Sequence, residues 1–347
     1  MGDESGVMAR KPTIRDVARE AGVSVATVSR VINNRPDTAD DTRQQVEDAI
    51  RRVGYARSSP WQQITTGKSR AISLLFPYTE SSPSHINLDF ITGLATACEE
   101  RDYRLDLITR SVTKEGLLDL YRSSKSDGTI LMKVQLHDER VDLLCREGLP
   151  FVMIGHTENE SGASFIDYDF AAAMRIGMSH LTSLGHQHIG FVSPMPAAHK
   201  QHGPTMRALR SYVQACEEMG LQPLHYETDQ SLRHIQLMTS KMLSDHPEIT
   251  ALLTLREMVE TAFYCAVHDA GLRIPDDISV LGLMTPDGPE LTSPALTALN
   301  FPAWHMAYGA GTRLIDELEE VDTAIKEILW EPTLTVRGST GPVRRGP

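Results

Sequence analysis

One short segment, residues 21–33, constrains the fold of this chain more than any other part of its sequence. It reads Ala-Gly-Val-Ser-Val-Ala-Thr-Val-Ser-Arg-Val-Ile-Asn. Gly22 allows a tight turn, and Ser24 is placed to start a second helix directly after it. The helix before the turn begins at Ile14 and has one apolar face, formed by Val17, Ala18 and Ala21. This order predicts a helix-turn-helix.

The second helix divides into two faces. At helical spacing the inward side chains are Val28, Val31 and Ile32, and the outward ones are Val25, Ala26, Ser29 and Arg30. An outward arginine can make a bidentate contact to guanine, and small apolar side chains such as Val25 and Ala26 can contact a thymine methyl group. Further polar side chains can hydrogen-bond phosphates: Thr13, Ser24, Thr27, Ser29 and Asn33. We therefore predict that this segment binds double-stranded DNA.

A third helix is predicted after residue 38. Thr38, with Asp41 three residues later, fits a capping box, and Gly54 is placed to end the helix. Its apolar face is formed by Val46, Ala49, Ile50 and Val53. Three short amphipathic helices also form the core of small domains that do not bind DNA, so the pattern alone leaves that alternative open.

The composition bounds the class of protein. A chain of 347 residues is expected to hold two or three domains, and no apolar run approaches the ~18 residues that a membrane span needs. The segment Met1–Ser5 is acidic and polar and lacks the order of a signal peptide. Four cysteines stand singly, which favours free core thiols: Cys98, Cys145, Cys216 and Cys265. We predict a cytoplasmic protein without metal or cofactor.

The net charge of −12 is unevenly distributed. Residues 1–70 carry twelve basic and nine acidic side chains, whereas the remainder carries 22 basic and 37 acidic ones. Because an acidic body repels DNA, we expect contact through the slightly basic N-terminal segment, which limits non-specific binding.

From Ala71 onward, short apolar strands alternate with longer helical stretches. Strands are predicted at residues 72–76, 104–108, 129–132, 151–154 and 188–192, with helices near 90–101 and 115–121. Repeated strand–helix units give parallel sheets covered by helices on both faces.

The headpiece motif, Thr-Ile-Arg-Asp-Val-Ala through Ser-Val-Ala-Thr-Val-Ser-Arg-Val-Ile-Asn, closely resembles that of the lactose-repressor (LacI/GalR) family. The body resembles the family's regulatory domain at residues 126–131, 148–155, 180–186, 271–282 and 334–337, so the resemblance covers nearly the entire chain. It implies an N-terminal all-α helix-turn-helix headpiece plus an α/β periplasmic-binding-protein-like body. That body would have two doubly wound parallel-sheet subdomains, crossed by three strands, with a ligand cleft between them.

The resemblance also implies a domain division. We expect the DNA-binding headpiece at 1–57, a hinge helix or linker at 58–70, and an effector-binding and dimerisation domain at 71–347. Within that domain we expect subdomain one at about 71–168 and 298–327 and subdomain two at about 169–297 and 328–340.

Residues 58–66 combine linker character with helix-start chemistry. Ser59 can cap a helix, Pro60 suits its first position, and Gln62 falls where a capping-box partner belongs. In the family that the chain resembles, a hinge helix here inserts an aliphatic side chain into the minor groove, and Ile64 stands where leucine is usual. Trp61 replaces the small residue that the family prefers, so a plain flexible linker remains the alternative.

The body departs from the family pattern where sugar effectors are bound. After the strand at 251–253 the family has Asn-Asp, and this chain has Leu255 and Arg256. Where the family often has two acids, this chain has Met284 and Thr285. A guanidinium favours carboxylate or phosphate and is a poor substitute for an acid that accepts sugar hydroxyls. We expect an anionic or less hydroxylated effector with Arg256 facing the cleft.

Other cleft residues are weaker candidates. The family's effector-gripping arginine would fall at Ala208, which Arg207 and Arg210 flank. Position alone also places several residues near the cleft: Tyr78, His85, Lys133, His156, Asp287 and Phe301. Alternatively, Arg256 pairs with Glu257, Glu260 or Asp287 and the cleft takes a sugar or a sugar derivative, or the cleft binds nothing and the regulator is effector-independent.

These features predict a sequence-specific transcriptional regulator that represses transcription. Because one short helix reads only a few base pairs, we expect a homodimer on a pseudo-palindromic operator. There is no Gly-rich phosphate loop, nucleophile elbow or metal-ligand cluster, so we predict no enzyme activity. A periplasmic-type carrier would need an export signal and no headpiece. Residues 322–330 carry Ile325, Ile328 and Leu329 and no leucine heptad, so we expect them to pack onto the body.

Overall fold

The computed structural model describes residues 12–32, 38–53, 69–77, 85–159, 162–194, 202–228, 231–255, 259–285 and 292–343. In it the chain divides into two compact units, and the boundary falls between Ser69 and Arg70.

The first unit contains the three predicted helices. They are α1 (Ile14–Glu20), α2 (Val25–Ile32) and α3 (Asp40–Val53). Their shared core consists of Ile14, Val17, Ala18, Ala21, Val28, Val31, Val46 and Ala49. Gln45 Nε2 donates to the carbonyl oxygen of Ala21 at 2.9 Å and so holds α3 against the end of α1.

Helix α3 begins one residue later than a capping box at Thr38 requires. Its first turn contains Asp40 and Asp41, and the Arg43 N–H donates to the carbonyl oxygen of Ala39 at 3.0 Å. The hydroxyl of Thr38 is buried and has no hydrogen-bond partner among the described residues. The predicted Thr38 cap is therefore wrong, because the helix starts where two acids meet the positive end of its dipole.

The second unit alternates strands and helices as expected. Its strands are β1 (Ala71–Leu75), β2 (Arg104–Ile108), β3 (Gly128–Leu131), β4 (Phe151–Ile154), β5 (Phe165–Tyr168), β6 (Ile189–Pro194), β7 (Leu224–Thr228), β8 (Ala251–Leu253), β9 (Ser279–Met284), β10 (Thr297–Asn300), β11 (Glu327–Trp330) and β12 (Thr333–Thr335). Its helices are α4 (His85–Glu100), α5 (Lys114–Arg122), α6 (Glu139–Glu147), α7 (Phe170–Ser183), α8 (Gly203–Met219), α9 (Leu232–Asp245), α10 (Val259–Asp269) and α11 (Ala303–Leu318).

The first sheet has the strand order β11-β5-β4-β3-β1-β2, and all its pairs are parallel. Alternate residues of its strands enter different cores. Ile72 and Leu74 pack with Phe90 of α4 and Leu314 of α11, whereas Leu75 packs on the other side. Helices thus cover both faces, as predicted for a doubly wound sheet.

The second sheet has the order β12-β10-β9-β8-β6-β7. All its pairs are parallel except β10 with β12, which is antiparallel. On one face Phe191 packs with Tyr212 of α8, and on the other Val280 packs with Phe263 of α10. Each sheet with its helices forms one subdomain.

The chain passes between the two sheets three times. It leaves the first sheet after Tyr168, returns after Asn300, and leaves again between Trp330 and Thr333. Strand β10 therefore lies in the second sheet, although residues from 298 were expected in the first. Strand β11 lies in the first sheet, although residues from 328 were expected in the second. Both differences have the same reason. Strand β10 pairs with β9 before the chain crosses to the first sheet, and β11 pairs with β5 before it crosses back.

Helices α4 and α11 approach unusually closely beneath the first sheet. A Cβ atom at Gly93 would lie 2.2 Å from the carbonyl oxygen of Trp304, and one at Gly311 would lie 2.8 Å from Cβ of Ala97. Glycine is required at both positions, since any side chain would force the helices apart.

Some side chains are more exposed than their residue types suggest. Ile325, Ile328 and Leu329 are 55%, 40% and 49% exposed. The expectation that they pack onto the body is wrong, because β11 is an edge strand. Cys145 and Cys265 are also exposed, so only Cys98 and Cys216 are core thiols. Among the described residues, no helix combines the length and the apolar character needed to cross a membrane.

Candidate functional site

The turn between α1 and α2 is built from local hydrogen bonds and one glycine. Gly22 has a φ of 61°, which a residue with a side chain rarely adopts. The Val23 N–H donates to the carbonyl oxygen of Ala18 at 3.1 Å, which closes the end of α1. Ser24 Oγ accepts the Thr27 N–H at 3.0 Å and so caps α2. The sequence thereby fixes the angle at which α2 leaves the turn.

The outward face of helix α2 carries both polar and apolar side chains. Val28 and Val31 are 0% and 4% exposed, whereas Val25 is 37% exposed. Ala26 and Arg30 are also exposed, and Ser29 is half-buried. The outward face and the inward face at Val28 and Val31 are thus present, and the exposed set contains both base-reading chemistries: a guanidinium and small apolar groups. The side chain of Ile32, also expected to face inward, lies outside what the structure describes.

Several hydroxyls expected to meet phosphates already have partners within the protein. Thr13 Oγ1 donates to Asp16 Oδ2 at 2.6 Å, and the same carboxylate accepts the Thr13 N–H at 2.8 Å. The hydroxyls of Ser24 and Thr27 lie 2.9 Å apart. These side chains therefore stabilise the helix starts whether or not they also contact phosphate.

In the second unit, four contacts between described residues join α8 and the residue before it to the first subdomain across the cleft. The Gly203 N–H donates to the carbonyl oxygen of Val134 at 3.1 Å, and Gln135 forms an isolated antiparallel bridge with His202. Further along α8, Arg210 pairs with the exposed carboxylate of Glu158. The arginine lowers the pKa of that carboxyl through its hydrogen bond. The fourth contact is made by Arg207.

Arg207 joins the two subdomains in a largely buried position. Its Nη2 donates to Asp167 Oδ2 and to the carbonyl oxygen of His156, both at 3.0 Å. Asp167 Oδ2 also lies 2.7 Å from His156 Nδ1, which must carry a proton because a carboxylate only accepts. Burial lowers the pKa of Arg207, although the charge of Asp167 opposes that shift.

A small cavity lies beside the first turns of α8. It has a volume of about 90 Å³ and is lined by Phe170, Phe191, Val192, Ser193, His202, Pro204, Thr205, Ala208 and Leu255. Most of these side chains are apolar, and the polar ones bond to one another or to neighbours. His202 Nδ1 lies 2.9 Å from Thr205 Oγ1, and Ser193 Oγ lies 2.8 Å from His225 Nε2. The chemistry of the cavity, apolar with a few polar groups, resembles that of a small-molecule site, although its volume is well below the roughly 300 Å³ of a typical ligand pocket.

Aromatic rings pack together where the chain crosses between the subdomains. Phe301 packs on Tyr168, Phe170 and Phe90, with ring centroids 4.8, 6.4 and 5.9 Å apart. The Tyr168 hydroxyl is buried, and no group in the described part of the chain is hydrogen-bonded to it. Burial raises the pKa of this phenol above its usual range. Phe301, expected near the cleft by position, is a core residue at a chain crossing.

The predicted effector residues are scattered. His156 and Arg207 meet in the cleft, and Arg210 is on its rim. His85 is exposed at the start of α4, and Met284 is buried in the core of the second subdomain. Lys133 has a φ of 52°, and its Nζ lies 5.4 Å from the centre of the Phe76 ring. Outside the described residues are Asn33, Gln62, Ile64, Tyr78, Arg256 and Asp287.

The sequence analysis missed Asp167, Gly203 and the aromatic lining at Phe170 and Phe191. One signal was available for Asp167. The carboxyl ends of parallel strands meet at one edge of a sheet, and Asp167 is the next-to-last residue of β5. Its pairing with Arg207 depends on how the two subdomains meet, which no local pattern encodes.

Known proteins share both parts of this architecture. The family model of bacterial regulatory proteins, lacI family, matches residues 13–58, and that of a periplasmic binding protein-like domain matches residues 178–340. The HTH-type transcriptional regulator MalR of Streptomyces coelicolor is 29% identical over 96% of this chain and 98% of its own length. The HTH-type transcriptional repressor PurR of Erwinia tasmaniensis is 26% identical over 96% and 98%.

A solved structure agrees on the fold. The lac repressor dimer bound to operator and the anti-inducer ONPF superposes with a TM-score of 0.82 at 21% identity, over 96% of this chain and 100% of that one. A helix-turn-helix followed by a two-subdomain α/β body of this kind defines a DNA-binding transcriptional regulator. The chain belongs to the lacI family of bacterial regulatory proteins. Because this family consists of regulators, the prediction that the chain is not an enzyme is confirmed.

Proposed function

We propose that this protein represses transcription by binding a pseudo-palindromic operator as a homodimer, and that a small molecule held between its subdomains controls this binding. The observation that carries the proposal is the outward face of α2, where Val25, Ala26 and Arg30 are exposed above a fully buried Val28. A helix that packs by one face and exposes a guanidinium on the other suits the major groove.

Two relatives support repression and dimerisation. PurR of Erwinia tasmaniensis is named a repressor, and the lac repressor was solved as a dimer bound to operator. A two-fold dimer places two reading helices on symmetric half-sites, which gives the specificity that one helix lacks. The protein then acts where the DNA is, in the cytoplasm at the nucleoid.

DNA contacts divide into three groups. Val25, Ala26 and Arg30 contact base edges. Phosphates are contacted by Thr13, Ser24, Thr27, Ser29 and Asn33. From the hinge, Gln62 and Ile64 enter the minor groove, with Ile64 as the wedge.

The effector binds in the cleft beside α8 and is an anionic molecule or a sugar derivative. The apolar cavity and the neighbouring Arg207 support this location. One structural relative is a complex of the regulator CelR with cellobiose, which supports a small-molecule ligand for this fold. Arg256 and Asp287, which lie outside the described residues, stay candidate contacts from the sequence.

Selection from randomised DNA duplexes tests the proposal. The purified protein should enrich one two-fold symmetric sequence, and a reporter promoter carrying it should lose expression when the protein is present. Enrichment of an asymmetric site would contradict the homodimer, and increased expression would contradict repression.

A further inference from the structure

The contact that Arg207 makes across the cleft depends on one nitrogen atom of its guanidinium. Both hydrogen bonds described for its guanidinium come from Nη2. Its Nε is buried and has no hydrogen-bond partner among the described residues. A guanidinium has five N–H donors and binds carboxylate or phosphate best through two nitrogen atoms. Arg207 is therefore held in a way that leaves part of its binding capacity unused.

Asp167 is held more completely than Arg207. Its Oδ1 accepts the Tyr168 N–H at 2.7 Å, and its Oδ2 accepts the His156 Nδ1–H at 2.7 Å in addition to the arginine. If Arg207 moves away, the carboxylate keeps two hydrogen bonds. An ion pair is costly to break when it leaves a buried charge without partners. Because Asp167 keeps these two hydrogen bonds, it can separate from Arg207 without that cost.

The first turn of α8 makes room for the guanidinium beside the cavity. A Cβ atom at residue 203 would lie 2.7 Å from Arg207 Nη2, so glycine leaves the space that the guanidinium takes. Pro204, Thr205 and Ala208, which flank Arg207 along the helix, line the cavity. Arg207 itself does not line the cavity, but its guanidinium lies against Gly203, one residue before Pro204 at the cavity edge.

We propose that Asp167 is an internal competitor for Arg207, and that a carboxylate or phosphate group of the effector displaces it and binds the guanidinium through two nitrogen atoms. This inference rests on the proposed function, because it concerns the ligand that controls DNA binding. In this proposal Arg207, one residue before Ala208, determines which class of ligand is bound. A neutral sugar is then excluded as the controlling ligand.

The exchange connects the ligand to the arrangement of the subdomains. Arg207 belongs to the second subdomain and Asp167 to the first. Displacement therefore breaks a link made by the chain itself and replaces it with contacts to the ligand. A ligand shifts a conformational equilibrium only as far as it binds one state better. The carboxylate of Asp167 weakens anion binding in the state in which it is paired with Arg207. It thereby sets the difference in ligand affinity between the paired and the separated states.

The test measures anion binding by the whole chain with the competitor removed. Asp167→Asn keeps the shape of the side chain and loses its charge. Isothermal titration with inorganic phosphate, and separately with acetate, at constant ionic strength should give a Kd about tenfold lower than for the wild type, ~1.4 kcal/mol. Whichever anion gains more identifies the group of the effector.

Two further variants act as controls. Adding Arg207→Gln to Asp167→Asn should remove the gain, whereas adding Arg175→Gln, a change at an exposed arginine of α7, should leave it intact. Equal affinity of Asp167→Asn and wild type for both anions would overturn the proposal. A gain that persists without Arg207 would overturn it as well.

A thermal-unfolding measurement leaves Asp167 unchanged and tests the proposal even if the Asp167→Asn variant does not fold. Phosphate should raise the Tm of the wild type more than that of Arg207→Gln, and any other result overturns the proposal. Operator binding by the wild type is measured in parallel. Its absence contradicts the proposed function, whereas intact operator binding without the anion effects contradicts this inference alone.

Discussion

The rings of Tyr168 and Phe301 pack with centroids 4.8 Å apart, at two of the three places where the chain crosses between the subdomains. Tyr168 is the last residue of β5, and Phe301 directly follows β10. Both side chains are buried. The two crossings therefore share one apolar core.

This packing predicts a large loss of stability when the ring at 301 is removed. Phe301→Ala should lower the free energy of unfolding by about 3–5 kcal/mol, because it leaves a cavity where three other rings meet. Phe301→Leu, which keeps most of the volume, should cost under about 1.5 kcal/mol. Urea unfolding of the whole chain measures both. Equal, small losses would show that the crossings do not depend on this contact.

Stability should fall when the pH drops below the usual pKa of histidine. Burial lowers the pKa of His186, which bonds to Thr250, Ser279 and the Gly341 carbonyl oxygen. Burial likewise lowers the pKa of His180 and of His225. In the unfolded chain these rings regain a pKa of about 6.5. Their stabilising contribution is therefore complete above that pH and is lost as the pH falls through the lowered folded values.

Urea midpoints at about pH 7.5 and about pH 5 measure this effect. We expect a lower midpoint at the acidic pH and a smaller difference in His186→Gln. The window lies above the range in which Asp138, whose pKa Arg140 helps to lower, titrates. A wild-type midpoint that does not change would contradict the assignment of buried neutral histidines.

Thr13 should affect both folding and DNA binding. Thr13→Ala should weaken binding to every DNA sequence alike, because a phosphate contact carries no sequence information. It should also destabilise the first unit by about 1 kcal/mol, since the hydroxyl bonds to Asp16 at the start of α1. Thr13→Ser keeps the hydroxyl and should preserve both properties. A loss confined to one DNA sequence would contradict the phosphate role.

Much of the fold could be predicted from local patterns. The faces of α2 follow from helical spacing, and β2 and β4 lie at the predicted residues. Thr38 failed as a cap because α3 starts after Ala39, whose side chain cannot cap, so the capping-box pattern did not locate the helix start. The exposure of Ile328 and Leu329 was missed because spacing does not say whether a strand lies at the edge of a sheet.

The candidate site was predicted less completely than the fold. Arg207 and His156 were candidates by position, but their common partner Asp167 was not. That contact joins residues 40 positions apart across the cleft, so it depends on the relative placement of the two subdomains. The DNA-reading face lies on one helix, and local spacing is enough to predict it.

The hinge prediction rests on the sequence alone. Ile64→Ala should lower affinity for the operator and reduce DNA bending, because the minor-groove wedge is lost. Affinity for random DNA should barely change. Gel-shift titration and circular-permutation bending measure both effects. If affinity and bending both stay at wild-type values, residues 58–66 are a passive tether.

The most direct test of the account is a binding titration of wild type, Arg30→Ala and Arg19→Ala on the selected operator and on random DNA. Arg30→Ala should cost about 1–3 kcal/mol on the operator, relax the preference at one symmetric base pair, and cost much less on random DNA. Arg19, an exposed arginine of α1, is the matched control, and its loss should not change the ratio between the two DNAs. Equal losses on operator and random DNA for Arg30→Ala would contradict base reading by α2.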